Sequence, residues 1–288
     1  MIDATDFIPP ATEIPECPVC GQSTQGIEVG THGRFGMAVR NIACEVCALV
    51  YQSPRPTAPD MARYYAGTYR KHYGDVRYPL AGGGAAGPGE PGYEEGLLAW
   101  HTNQASNSVA LAKTARGARV LEVGCRHGKT LTLMRDRFGI EPHGIEPGPA
   151  EAEQARVAGV DCRTGTIEEY SPGELRFDQI QLFHVLEHLH EPLSALVRMR
   201  DWLVPTGRLV IEVPNVYQPY GLLEENFFQN AHVTNFSAVT LPALLARAGF
   251  RVTSVFDRSA LFVVAEPDGT SDVLPRPFSP EMLSAREH

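Results

Sequence analysis

The sequence predicts an α/β fold: a mostly parallel seven-stranded sheet with an antiparallel hairpin at one edge, behind a small cysteine-bearing N-terminal module. Three observations carry this. From Arg119 to Val213, short apolar runs alternate with amphipathic stretches, the pattern of parallel strands covered on both faces by helices. After a helical stretch at Leu241–Ala248, the runs Phe250–Phe256 and Leu261–Glu266 are joined by too few residues for a crossover, so they must pair antiparallel. Ahead of the alternation stand Cys17-Pro-Val-Cys20 and Cys44-Glu-Val-Cys47, two C-x-x-C pairs separated by 23 residues.

The 288 residues, 43% of them hydrophobic, suffice for one full α/β domain and a smaller unit. The expected division is a metal-binding ribbon and linker at 1–60, a connecting helix and Gly/Pro-rich loop at 61–92, a catalytic-type domain at 93–266 and a disordered tail at 267–288. A formal net charge of −9 argues against a broad nucleic-acid or membrane-surface footprint, since phosphate binding needs clustered Lys and Arg. No apolar run approaches the ~20 residues that span a bilayer, and the N-terminus lacks a basic-then-apolar leader. The expectation is a soluble, cytoplasmic protein.

Two C-x-x-C knuckles can wrap four thiolates around one tetrahedral Zn²⁺. Met37–Ala43 between them suits a strand, so Cys17, Cys20, Cys44 and Cys47 are expected to form a structural zinc ribbon. Paired disulfides would be disfavoured in a reducing compartment, and a redox dithiol would not need a duplicate. His32 reads as a surface loop residue. The first sixty residues carry more Asp and Glu than Arg, so the ribbon is expected to be structural, or to cover one edge of a site, rather than to grip phosphates. Pro54, Pro56 and Pro59 suggest an extended linker. Tyr64, Tyr65 and Tyr69 follow at helical spacing, for packing or for lining a cavity. Leu80–Gly92 has almost no side chains able to build a core and reads as a loop, a tolerated insertion or a lid. Tyr93–Ala115 reads as a helix burying Leu97, Trp100, Ala105 and Val109.

The first strand, Arg119–Val123, runs into Gly124-Cys-Arg-His-Gly128 and a helix near Thr130–Arg137. Glycines there let backbone approach a ligand closely. The spacing is not the G-x-G-x-x-G of a pyrophosphate loop, which favours a ligand without phosphates. Leu121-Glu-Val-Gly-Cys-Arg-His-Gly128 resembles motif I of the class I S-adenosylmethionine-dependent methyltransferases, with Arg126 in place of the middle glycine. The resemblance implies a Rossmann-like fold in which this loop, with Gly124, Cys125 and Gly128, contacts the methionyl arm of the cofactor and Glu122 helps position it. Cys125 and Cys162 also read as packing residues. The segment from Ala48 to Tyr69 is similar to that following the knuckles in a methyltransferase subgroup with an N-terminal zinc-binding module, which includes sugar C-methyltransferases of secondary metabolism.

The second strand (His143–Ile145) ends at Glu146, 24 residues past Glu122. An acidic side chain there can accept both ribose hydroxyls of a nucleoside, with Pro147 beside it; a helix covers Ala150–Ala158. After a third strand near Asp161–Arg163, Thr166 and Ile167 fall where the resembling family contacts adenine. The fourth strand, Phe177–Phe183, leads into His184-Val-Leu-Glu-His-Leu-His190, the strongest family signature in the chain. His184 should face the methionyl end. His188 is either a proton acceptor or a framework hydrogen bonder; His190 reads as solvent-facing. Past the fifth strand (Arg208–Val213), Tyr217, Tyr220, Phe227 and Phe228 are expected to shape an acceptor pocket. The subgroup tends to carry Tyr-His-Glu-His where this chain has Gln229-Asn-Ala-His232, which leaves His232 as the candidate base. The expected activity is methyl transfer from S-adenosylmethionine to a small-molecule acceptor. A zinc-ribbon RNA methyltransferase and a non-catalytic protein that keeps the fold for interaction are the competing readings.

Overall fold

A computed structural model describes residues 12–23, 25–67, 78–79, 85–269, 279 and 281. Tyr69, residues 80–84 of the expected loop and nearly all of the expected tail lie outside this set. The N-terminal strands are β1 (Thr12–Glu13), β2 (Ile27–Gly33), β3 (Met37–Ala43), β4 (Val50–Gln52) and β5 (Arg55–Pro56). Each knuckle closes in the same way: Gly21 N–H donates to Cys17 O and Ala48 N–H to Cys44 O, both at 2.8 Å, with Gly21 and Ala48 left-handed. Helix α1 (Ala58–Gly67) follows and takes Pro59 into its first turn, where a missing N–H costs nothing. The linker is therefore extended only as far as β5, which pairs with β1.

After the short ladder β6 (Tyr78–Pro79) with β7 (Ala85–Ala86), α2 spans Tyr93–Ala112. It stops three residues before the expected end because Lys113 turns left-handed. Its most buried face is also more polar than expected. Gln104, Ser108 and the small Ala105 and Ala112 are buried, whereas Leu97, Trp100 and Val109 are only partly so. The reason lies in the sheet opposite: Ser108 donates to Gln181 Oε1 at 2.8 Å and Gln104 to Glu212 Oε1 at 2.9 Å, so this layer is a satisfied polar network.

The main sheet is built from β8 (Arg119–Val123), β9 (Glu141–Glu146), β10 (Asp161–Thr164), β11 (Phe177–Phe183), β12 (Leu203–Pro214), β14 (Phe250–Phe256) and β15 (Ala260–Pro267), while β13 (Thr234–Asn235) belongs elsewhere. The helices between are α3 (Lys129–Phe138), α4 (Pro149–Val157), α5 (Pro192–Trp202) and α6 (Thr240–Arg247). The order is β10-β9-β8-β11-β12-β15-β14, parallel except where β15 pairs antiparallel with β12 and β14. This is the predicted seven-stranded sheet with its antiparallel edge. The order reverses at β8 and β11, the point where open α/β sheets bind ligands at their carboxyl ends.

A second, four-stranded sheet runs β13-β4-β3-β2. Thr234 and Asn235, from the long segment after β12, pair with Tyr51 and Val50. The two parts also share one core. Cys17, Val19, Cys20, Leu49 and Tyr51 are continuous with Phe236, Leu241 and Leu244 of the α6 region. Phe227 and Phe228, expected in a pocket, are instead fully buried against Met37, Val39 and Val50. Burying a phenylalanine is worth about 1.5–3 kcal/mol, and the N-terminal sheet offers the apolar face to do it.

Candidate functional site

The loop after β8 is left-handed at Gly124, Arg126 and Gly128. A Cβ on Gly124 would lie 2.6 Å from Val185 Cγ2 and one on Gly128 2.8 Å from Val160 Cγ2, so both positions require glycine. Arg126 holds a backbone that costs an ordinary residue about 1–2 kcal/mol. Its N–H donates to Glu146 Oε2 at 2.9 Å, and Glu146 Oε1 accepts from Gly148 N at 2.8 Å. One buried carboxylate thus ties the loop after β8 to the turn after β9, with Pro147 exposed beside it. Cys125 turns away from this opening: its sulfur lies 3.6 Å from Cys162 Sγ, over Gly144, whose added Cβ would meet Cys125 Sγ at 2.5 Å.

Glu122 sits beneath the loop and accepts from Gln181 Nε2 at 2.7 Å. Burial pushes its carboxyl up to about 8, against the Gln181 hydrogen bond and with the Glu146 charge adding to the rise. Glu122 is then protonated in the fold at neutral pH but ionised in the unfolded chain. The fold holds the extra proton between about pH 4.5 and 8, so stability falls as pH rises through that window. Glu122→Gln keeps the shape and removes the titration. Its melting temperature should fall less than the native protein's between about pH 6 and 8.5; parallel slopes would show that Glu122 is already ionised.

After β10, Gly165 N–H donates to Glu146 O at 3.0 Å and Thr166 N–H to Glu169 Oε2 at 3.0 Å. Ile167 is buried in the main core. A cavity of about 360 Å³ opens beside Thr166, lined by Ile145, Thr164, Gly165, Tyr170 and Leu175 among others.

The other half of the edge follows β11. His184 is left-handed and donates its N–H to Glu212 O at 2.8 Å. Its imidazole lies 3.1 Å from Glu212 Oε1 and 3.6 Å from Glu187 Oε1, with the Trp100 ring 5.9 Å away. Burial opposes a charge there, but the Glu187 and Glu212 carboxylates outweigh it and hold the imidazole up to about 10. His184 is therefore a cation at neutral pH. Glu187 is held down to about 2: burial works the other way, and the His184 pairing overcomes it.

His188 Nδ1 lies 2.9 Å from Ala231 O and 2.8 Å from Tyr65 Oη. A carbonyl only accepts, so Nδ1 carries the proton and Nε2 keeps its lone pair. His232 packs edge-on against His188 at 4.8 Å between ring centroids and has Gln229 Nε2 2.6 Å from its own Nε2. Burial, then the neighbouring His188, pulls the His232 imidazole down to about 3. Burial lowers His188 as well.

His188 and His232, 44 residues apart in sequence, thus come together around an acid that spacing alone did not single out: Glu187. The signal was present in His184-Val-Leu-Glu187, where a short turn brings the ends together. No local signal marked Gln52, on β4, whose Nε2 donates to Gln229 O at 2.7 Å and His232 O at 3.0 Å. His190 is not simply solvent-facing: its Nε2 contacts Pro56 O at 2.9 Å. His32 lies exposed on strand β2 rather than in a loop. Tyr217 and Tyr220 are more than half exposed, at 56% and 57%.

The four ribbon cysteines are buried, with Cys17 Sγ 3.5 Å from Cys47 Sγ and Cys20 Sγ 3.6 Å from Cys44 Sγ. All four sulfurs lie within 4.8 Å of one another. A tetrahedral S₄ zinc centre with bonds near 2.3 Å needs edges of about 3.8 Å, so the donor set fits. Arg247 of α6 donates to Val19 O inside the first knuckle, a direct link from the ribbon to the main sheet's last helix.

Among the described residues no helix is long and apolar enough to cross a membrane. Comparison with known proteins bears on the main sheet. A family profile described as methyltransferase domain matches residues 100–255, from within α2 into β14. The ubiquinone biosynthesis O-methyltransferase of Azorhizobium caulinodans is 28% identical over 138 residues, 46% of this chain and 53% of that protein. The chain spans about half the length of the curated relatives it matches. Among solved structures, the 4+2 cyclase SpnF aligns with a TM-score of 0.55 at 15% identity, covering 74% of this chain and 98% of that one. An S-adenosylmethionine-dependent methyltransferase from Mesorhizobium loti aligns with a TM-score of 0.50 at 15% identity, covering 60% and 99%. At such identities the likeness is one of fold. The profile match over more than half of the residues, on a sheet of this order, places the chain in the methyltransferase-domain family of class I S-adenosylmethionine-dependent proteins.

Proposed function

We propose that the protein transfers a methyl group from S-adenosylmethionine to a small-molecule acceptor, with a structural zinc ion in the ribbon. The observation that carries this reading is Glu146, a buried carboxylate at the end of β9 that gathers the amides of Arg126 and Gly148 beside the switch point of the sheet. Bound there, the cofactor would supply an electrophilic methyl group on a sulfonium.

The chain's own residues align and exclude water. Gly124 and Gly128 give a backbone that a methionyl arm can approach, with Glu122 and the Cys125 main chain beneath. Glu146 would accept the ribose hydroxyls next to Pro147, and Thr166 and Ile167 would lie on the side of the base. His184, held as a cation between Glu187 and Glu212, orients carboxylates rather than taking a proton. His188 and His232 face the acceptor. His232 stands as the residue to receive an acceptor's proton where the acceptor must lose one, at Nε2, the nitrogen that here accepts from the Gln229 amide. Cys17, Cys20, Cys44 and Cys47 hold the zinc.

Calorimetric titration with S-adenosylhomocysteine tests the reading first, and release of S-adenosylhomocysteine from S-adenosylmethionine in a panel of hydroxylated and amino small molecules tests it second. Binding with turnover on at least one of them is the expected result. No binding at all would remove the enzyme reading; binding with no turnover on any acceptor would leave a non-catalytic cofactor-binding protein.

A further inference from the structure

We propose that Glu187, His188 and His232 form a second metal site, separate from the cysteine cluster, that takes one divalent transition cation of the zinc, cobalt or manganese kind. The argument begins with Glu187. Its side chain is 2% exposed, and neither carboxylate oxygen has a hydrogen-bond partner among the described residues. A carboxylate taken out of water costs several kcal/mol unless its lone pairs are met. His184 stands 3.6 Å from Oε1, beyond hydrogen-bond range, and leaves Oε2 unmet.

Two imidazole nitrogens converge on that same oxygen. His188 Nε2 and His232 Nε2 each lie 3.9 Å from Glu187 Oε1. The three residues can each offer one ligand atom such that all lie within 4.8 Å of one another. At 3.9 Å these are not hydrogen bonds. Ligand atoms around a tetrahedral cation with bonds of about 2.0–2.2 Å sit roughly 3.4 Å apart, so closing by about half an ångström would seat one. His188 is already prepared for it. The Ala231 carbonyl at 2.9 Å fixes the proton on Nδ1 and leaves the Nε2 lone pair toward Glu187, the outer-sphere arrangement that orients metal-bound histidines. His232 presents Nε2 to the same space, where the Gln229 amide now meets it at 2.6 Å. A cation would take that lone pair and free the amide, whose oxygen is buried and unpartnered, to turn. Two imidazoles and one carboxylate suit borderline transition cations rather than calcium or magnesium.

Three protein ligands leave open positions. If this side receives the acceptor, as the proposed function holds, those positions suit an acceptor that presents one or two oxygen donors, and the histidines then act as ligands. That consequence rests on the proposed function; the binding of the cation does not.

The test is a Co²⁺ titration of protein whose ribbon is already zinc-loaded, with S-adenosylhomocysteine affinity measured on the same samples. The expected result is one further Co²⁺ per chain, with ligand-field absorption but no thiolate charge-transfer band. Glu187→Gln and His232→Gln should each weaken Co²⁺ by more than about 10-fold, the scale that even an outer-sphere partner is worth, and a cooperative thermal melt of each cobalt-free variant checks that it is folded. Zinc-loaded protein that takes up no Co²⁺, or takes it up equally well in both variants, overturns the site. Co²⁺ uptake without S-adenosylhomocysteine binding supports the site and counts against the methyltransferase reading alone.

Discussion

Glu146→Ala should weaken S-adenosylhomocysteine binding at least about 10-fold, or 1.4 kcal/mol, and lower the melting temperature as well. The wild-type carboxylate accepts from Arg126 N and Gly148 N at 2.9 and 2.8 Å, and hydrogen bonds to a charged group contribute about 1.5–3 kcal/mol each. Alanine leaves both amides without that acceptor, loosens the loops after β8 and β9 together, and removes the proposed ribose acceptor. Glu146→Gln, with one accepting oxygen instead of two, should fall between. Calorimetry and thermal melts separate the effects. Full affinity in Glu146→Ala would place the nucleoside somewhere other than the carboxyl end of β9.

Removing the zinc proposed for the ribbon, by chelation or by Cys44→Ser, should abolish the proposed methyl transfer while reducing S-adenosylhomocysteine binding far less. Structural zinc sites hold apparent binding energies of about 10–16 kcal/mol that are coupled to folding, comparable to the stability of a whole domain. Strand β4 of the ribbon also sets the His232 loop. Gln52 N–H donates to Val233 O at 3.0 Å, its side chain holds Gln229 O and His232 O, and Thr234 pairs with Tyr51. The proposed nucleoside cradle instead rests on β8, β9 and β10. Hydrogen exchange should then report opening of β2–β4 and of residues 229–236 together, with β8–β10 still protected. Gln52→Ala, which leaves two carbonyls unmet at about 1–3 kcal/mol each, should reproduce the loss in part. Turnover that survives metal removal would show that the ribbon does not hold the acceptor side in place.

Much of the architecture was written in local pattern. The apolar alternation from Arg119 to Val213, the short link between Phe256 and Leu261 and the paired C-x-x-C knuckles each depend on residues close in sequence. Periodicity and chain reach were enough to read them. The same holds for the glycines of the loop after β8, since a left-handed backbone is a local demand, and for the acid that ends β9, whose place follows from strand length.

Tertiary packing decided the rest. Phe227 and Phe228 carry the composition of a pocket wall, yet the apolar face of β3 and β4 claimed them for a core. Gln52 and the His232 carbonyl meet across 180 residues of chain, a contact that no spacing rule encodes. Glu187 became the centre of the histidine cluster only when β11 and the segment carrying His232 were brought together. The sequence by itself determined which side chains the carboxyl edge of the sheet would hold. Which of them touch, and with what charge, was set by the folded surroundings, because burial and neighbouring ions act through space and not along the chain.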